Sequence, residues 1–219
     1  GTITRLVVTL LIGMPTLISA GCLQLSLNPL FTADDAVFEE QLVGQWTCGN
    51  ETWTFRRAAD QDVPPSAYDV DVQSGTTKVT FVALLGRLGE RTFVTLTPAR
   101  LADPSSSPFV NAHVSTGFTF GRVAIEGDRL RFAMLDSGWI NKAYQAGLLT
   151  IGMSRMWPGA RPDDVDVVLT AGPSDLQRFA RAYADDDAVF GEQVRFRRVG
   201  STPASQPAGS GGDEKCYGK

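Results

Sequence analysis

Between residues 42 and 199 the chain alternates apolar and polar residues with a period of two. Glu51 to Arg57 reads ETWTFRR, Ala67 to Gln73 reads AYDVDVQ, and Arg91 to Thr97 reads RTFVTLT. Each is the pattern of a strand with one face buried. Thr77 to Leu85, TKVTFVALL, is more continuously apolar, and two further runs, STGFTFGRVAI and RLRFAML, flank Glu126-Gly127-Asp128, a hairpin spacer. Turns this short leave no room for crossover helices, so the strands are expected to run as an antiparallel meander. The class that follows is mainly β (α+β): an antiparallel sheet curled into a barrel or half-barrel, with two helices toward the C-terminal half.

The first helix is expected over Ser137 to Gly147, where Trp139, Ala143 and Tyr144 share a side. The second begins at Ser174, with Gln177 as its capping-box partner, and repeats Leu176, Phe179, Ala180 and Tyr183 at helical spacing. That stripe must cover an open end or a flank of the sheet. Gln193 to Val199, QVRFRRV, returns as the last strand. An internal echo joins the two ends of the domain: Asp34 to Gln41 reads DDAVFEEQ and Asp186 to Gln193 reads DDAVFGEQ. Phe38 and Phe190 are expected to tuck these lead-in segments beneath first and last strands that are neighbours.

The start of the chain is of a different kind. Leu6 to Ile18, LVVTLLIGMPTLI, is too short to span a bilayer and has the length of a signal-peptide core; Arg5 precedes it, and the small residues Ser19, Ala20 and Gly21 lead into Cys22. This resembles the lipobox of bacterial lipoproteins, with Ser19 standing where that family usually has Leu. The resemblance implies that residues 1–21 are a signal peptide and that Cys22 is lipidated on sulfur, with palmitate-type chains. Residues 22–41 are then a lipidated tether and lead-in, 42–199 a single β-rich domain, and 200–219 a Ser/Pro/Gly-rich disordered tail. Several acyl chains on one cysteine make a durable anchor without a membrane-spanning helix. Leu23, rather than Asp, after the Cys resembles the default outer-membrane signal of Gram-negative lipoproteins. The expected address is thus the bacterial cell envelope, with the membrane itself a partner through Cys22.

Composition agrees with one globular domain: 219 residues, 43% hydrophobic and 20% charged, at net charge -4. Lys and Arg are scattered among carboxylates instead of forming a stripe, so no nucleic-acid partner is expected. With lipid on Cys22, the other two cysteines, Cys48 and Cys216, sit in an oxidising compartment; a disulfide between them is open, not indicated.

Candidate chemistry is sparse. His113 is the sole histidine, which removes multi-histidine zinc sites, and no G-x-S-x-G elbow gives it a serine partner. LLGRLGER, with Gly86 and Gly89, lacks the spacing of a phosphate loop and reads as a hairpin turn. Asp163, Asp164 and Asp166, and likewise Asp185, Asp186 and Asp187, match no EF-hand ligand order and read as solvated charge. No metal or cofactor is expected. Trp46, Trp53 and Trp139 fall on core-facing positions. Trp157, with Met153 and Met156, reads instead as an exposed apolar patch for a partner.

Two family resemblances complete the reading. NPLF, the VF pair, LVGQW, LDSGW and DLQRFARAYADDDAVF together look like a group of uncharacterised bacterial lipoproteins, a likeness that covers most of the mature chain and implies no activity. Gly44-x-Trp46 at a first strand, with a late helix and strand, is similar to the lipocalin-like (calycin) layout. The resemblance implies that Trp46 closes the barrel floor beneath a late arginine from among Arg195, Arg197 and Arg198, with Arg197 first choice. The leading expectation is a non-catalytic envelope lipoprotein that binds a partner protein or envelope component. The alternatives are a lipocalin-like carrier of a small apolar ligand and, third, a hydrolase using His113.

Overall fold

The structure is a computed structural model and describes residues 24–99, 117–155 and 167–200. Eight strands close into an antiparallel barrel: β1 Gly44–Cys48, β2 Glu51–Arg57, β3 Tyr68–Ser74, β4 Thr77–Leu88, β5 Arg91–Pro98, β6 Thr119–Glu126, β7 Arg129–Leu135 and β10 Phe190–Arg198. Each pairs with the next in the chain, and β10 pairs with both β7 and β1 to shut the ring. Two short strands, β8 Met153–Arg155 and β9 Val167–Leu169, form a separate pair outside the barrel. The helices are α1 Ser137–Gln145 and α2 Pro173–Ala182. The expected fold class is therefore the one found, with the barrel fully closed and lipocalin-like.

Strands β5 to β7 and the second half of β4 bury both of their faces, and this explains the continuous apolar run of β4. Trp46, Phe55, Tyr68, Val70, Leu85, Val94, Phe132 and Phe196 point inward and make one core. Leu88, Phe93, Phe120 and Leu135 point outward and make a second, covered by Ile140 of α1, by Leu176, Phe179 and Ala180 of α2, and by β9. The helices thus cover a flank of the sheet, the second of the two places their stripe allowed.

The hairpin turn expected in LLGRLGER falls at Gly89, where φ is +64°, and β4 runs through Gly86, where the Phe31 ring lies so close that a Cβ would collide with it. Two local expectations are corrected. Helix α2 starts one residue early with Pro173 as its first residue and Gly172 as N-cap, so Ser174 is inside the helix and caps nothing. Gln177, freed from a capping box, donates to Leu30 O at 3.1 Å and to Asp35 Oδ2 at 3.0 Å.

The second correction concerns the lead-in, much of which is fold and not tether. Gln24, 2% exposed, donates to Val167 O at 2.8 Å. Ser26 bridges Phe118 on one side and Leu169 on the other, and Leu30 N donates to Thr95 Oγ1. Leu30 and Phe31 are fully buried in the outer core, and Val37 pairs with Leu85 on the length of β4 that β3 does not reach. Burial of these apolar residues, which no alternation announced, turns the segment into a strap across the outside of β4 and β5. The echoed phenylalanines both anchor, each near an arginine: Arg57 Cζ is 3.5 Å from the Phe38 ring centre and Arg122 Cζ 5.3 Å from that of Phe190.

On the outer wall, Asp71 accepts from Thr80 Oγ1 at 2.7 Å and Arg56 at 2.8 Å and pairs with Lys78 at 3.1 Å. The Thr80 hydroxyl first, then the two cations, lower its pKa to about 2. A lowered carboxyl pKa stabilises the fold above the unfolded value and ceases to do so as pH falls through the folded one. Asp71→Asn is expected to cost about 1 kcal/mol at neutral pH, after allowance for half-exposed partners. In urea titrations the gap from wild type should close between about pH 4 and about pH 2. Gly86→Ala should cost about 1–3 kcal/mol by overpacking, and Phe31→Leu in the same chain should recover part of it.

Candidate functional site

The floor of the barrel is built where β1 begins. Gly44 has φ of +129°, which side-chain-bearing residues rarely adopt, and an added Cβ would lie 2.7 Å from Arg198 Nη1. Glycine there lets the guanidinium cross the floor. Arg198 Cζ sits 4.2 Å from the Trp46 ring centre, Nη1 donates to Val43 O at 2.8 Å, and Nη2 donates to Gln41 O. Trp46 is fully buried and its Nε1 donates to Leu42 O at 2.8 Å. Phe38 stacks on Tyr68 with ring centres 4.6 Å apart, and the Tyr68 hydroxyl donates to Glu39 O at 3.1 Å. Burial pushes the Tyr68 pKa up to about 12, so it remains a neutral floor member at any physiological pH.

The arginine over Trp46 is Arg198, and neither Arg197 nor Arg195. Trp46 pairs in register with Arg198, whereas Thr47 pairs with Arg197. Residues two apart along a strand share a face, so Val194, Phe196 and Arg198 belong together and Arg195 and Arg197 lie on the other side. The signal was present in VRFRR, since the buried Phe196 sets the parity.

Above the floor the interior is filled by rings. Trp53 lies 5.0 Å from Phe132 and 5.3 Å from Phe196 between ring centres, and Phe132 lies 6.2 Å from Phe55 and 6.0 Å from Phe196. These rings belong to the inner core or pack against it.

Recesses lie on the outside instead. One of about 390 Å³ runs between α2 and residues 148–151, lined by Leu148, Leu149, Ile151, Phe179 and Tyr183, with the Asp175–Arg178 pair at its rim. Leu148 is 73% exposed there. A second, of about 250 Å³ over β5 to β7, presents Arg91, Arg122 and Arg131. Each of these meets a carboxylate: Asp185, Asp187 and Glu126 respectively. Arg122 holds the Asp187 carboxyl below its ordinary pKa. Asp185 and Asp187 are thus surface carboxylates paired with arginines, and Asp186 accepts from Ala188 N. Among the described residues no three His, Cys, Asp or Glu groups are placed to hold a metal, and no helix is long and apolar enough to cross a membrane.

Of the expected Met/Trp patch, Met153 alone falls among the described residues. Met153 is half-buried in β8, opposite Leu169, and packs against the outer core. Met156, Trp157, His113, Asp163, Asp164, Asp166, Cys22 and Cys216 lie outside the described residues. Cys48, at the inner side of the end of β1, is disulfide-bonded, and its partner also lies outside them. Cys22 and Cys216 are the other cysteines of the chain. A bridge to Cys22 and lipid on Cys22 exclude each other.

Fold and floor together define a closed lipocalin-like barrel with a packed interior. No protein-family model, curated protein or solved structure matches the chain.

The floor arginine should be costly to lose. Arg198→Ala is expected to destabilise by about 2–4 kcal/mol, since it removes two charged hydrogen bonds to main-chain oxygens and the cation over Trp46. Arg197→Ala should cost less. Equal denaturation midpoints for the two variants would refute the assignment of the floor to Arg198.

Proposed function

We propose that the protein is a lipid-anchored module of the bacterial cell envelope, held at the outer membrane through Cys22, whose non-catalytic barrel is a scaffold for an external contact with a partner protein or envelope component. The observation that carries this reading is the aromatic filling of the barrel, which leaves recognition to the outer surface. The recess beside Leu148 suits such a contact: it is apolar at its base, rimmed by a charged pair, and borders a leucine that water would otherwise surround. The disulfide at Cys48 supports the address, because such bonds persist outside the reducing cytoplasm. The carrier reading loses support for the same reason that the scaffold gains it. His113 lies outside the described residues and gives no geometry on which a hydrolase reading could stand.

Lipid on Cys22 requires that Cys48 be bonded to Cys216. Cys22→Ser is expected to leave the thermal midpoint within 2 °C, since no packing is removed, and to move the protein from the membrane fraction to the soluble one. Non-reducing peptide mapping should find the Cys48–Cys216 peptide in both forms. Continued sedimentation of Cys22→Ser with membranes would refute the anchor, and so would a Cys22–Cys48 peptide.

A further inference from the structure

We infer that the barrel is seated on the bilayer without a stalk, with the side around Gln24, Leu27 and Arg155 toward the lipid headgroups and the Trp46–Arg198 floor held clear of them; this rests on the reading of Cys22 as the lipidated residue.

The inference comes from chain length. Two residues of extended chain reach at most about 7 Å, and that is the reach from Cys22 to Gln24. At Gln24 the chain is already fixed. Its side-chain amide, withdrawn from water, donates to Val167 O and to Leu25 O. Leu169 N donates to Leu25 O at 3.0 Å and Leu27 N donates to Leu169 O at 2.8 Å, so Ser26 is held as a parallel bridge beside Leu169 of β9. Asn28 then holds Thr170 O and Ala171 O through its side chain. No freely jointed residue separates the first of these bonds from Leu30, which is fully buried.

The same bonds set which part of the surface meets the membrane. Ser26 is paired with Phe118, immediately ahead of β6, whereas Arg198 N donates to Asp128 O, just beyond the end of that strand. Strand β6 has eight residues, a length of roughly 26 Å. The anchored side and the floor are therefore at opposite ends of β6. Beside the anchored end, β8 presents the exposed Arg155 opposite Val167, the residue whose carbonyl holds Gln24. A cationic side chain at that position suits anionic headgroups. A domain on a long flexible leash would sample all orientations, and one fixed within 7 Å of its acyl chains does not.

Two exposed aliphatic residues report the orientation without any added label: Leu27, 47% exposed at the anchored end, and Val199, 50% exposed just past the floor arginine. The experiment is hydroxyl-radical footprinting of three proteins, read by mass spectrometry. They are the native lipoprotein in phosphatidylethanolamine/phosphatidylglycerol vesicles, the same protein with ten Gly/Ser residues inserted between Leu23 and Gln24, and soluble Cys22→Ser. In the native lipoprotein, Leu27 should oxidise at least threefold more slowly than in Cys22→Ser while Val199 is unchanged. The spacer variant should stay on the vesicles and regain the Leu27 rate. Equal Leu27 rates in the vesicle-bound native and spacer proteins would overturn the seating, and protection of Val199 in place of Leu27 would overturn the orientation. Absence of lipid mass on Cys22 would instead remove the anchor reading on which both depend.

Discussion

A closed barrel has no free edge, which spares it edge-to-edge association, but closure obliges the last strand to find the first. Here that seam is short. Strand β10 runs in register with β7 over most of its length and meets β1 through Trp46 with Arg198 and Thr47 with Arg197. Arg198 reinforces the seam from several directions at once: its main-chain N–H reaches Asp128 O, just before β7, and its guanidinium reaches Val43 O and Gln41 O on the approach to β1. Val199 N then donates to Gln45 O. One side chain thus ties together the strand that closes the ring, the turn before β1 and the ring of Trp46. The two cores depend on it, because neither the inner nor the outer face of the sheet has a defined partner until the ring is shut.

Burial on both faces shapes the rest. A one-sided sheet needs only alternation, but β4 through β7 must satisfy an aromatic interior and a helical cover together, hence Val94 inside beside Phe93 outside, and Phe132 inside beside Ala133 outside. Small residues appear where a neighbour comes close: Gly86 under Phe31, and Gly121, where a Cβ would press on Ala133 O and the Met134 main chain. Polar groups that enter the outer core arrive with partners, as with Gln24 on Val167 O and Thr95 under Leu30 N.

This division also explains what was legible in the sequence. Strands with a clean period of two, such as Glu51 to Arg57, were found to the residue, and the hairpin at Gly127 followed from its spacer. Strands β8 and β9 were not seen, because three residues are too few to display a period. The turn in LLGRLGER was legible, but which of its two glycines makes it was not, because a glycine inside a strand and one in a turn look alike until the ring that needs the space is known. The α2 cap failed for a similar reason: Pro173 fits the first helical position, which places the boundary one residue before the Ser/Gln pair that imitates a cap. Trp46 was legible as a floor residue from its Gly44-x-Trp46 setting. Its cation was missed by one position, although the alternation around Phe196 distinguishes the two arginines. The strap from Gln24 to Val37 carried no periodic signal, since its contacts are made one residue at a time against three different elements.

That strap has a consequence for the order in which the chain can fold. Gln24 is bonded to a residue 143 positions later, Leu30 to one 147 positions later, and Val43 to one 155 positions later. The strap therefore leaves the ribosome well before its partners, and contacts this distant slow the search for the native state. In this topology the ring cannot shut before residue 198 has been made, so the delay is written into the connectivity of the barrel itself.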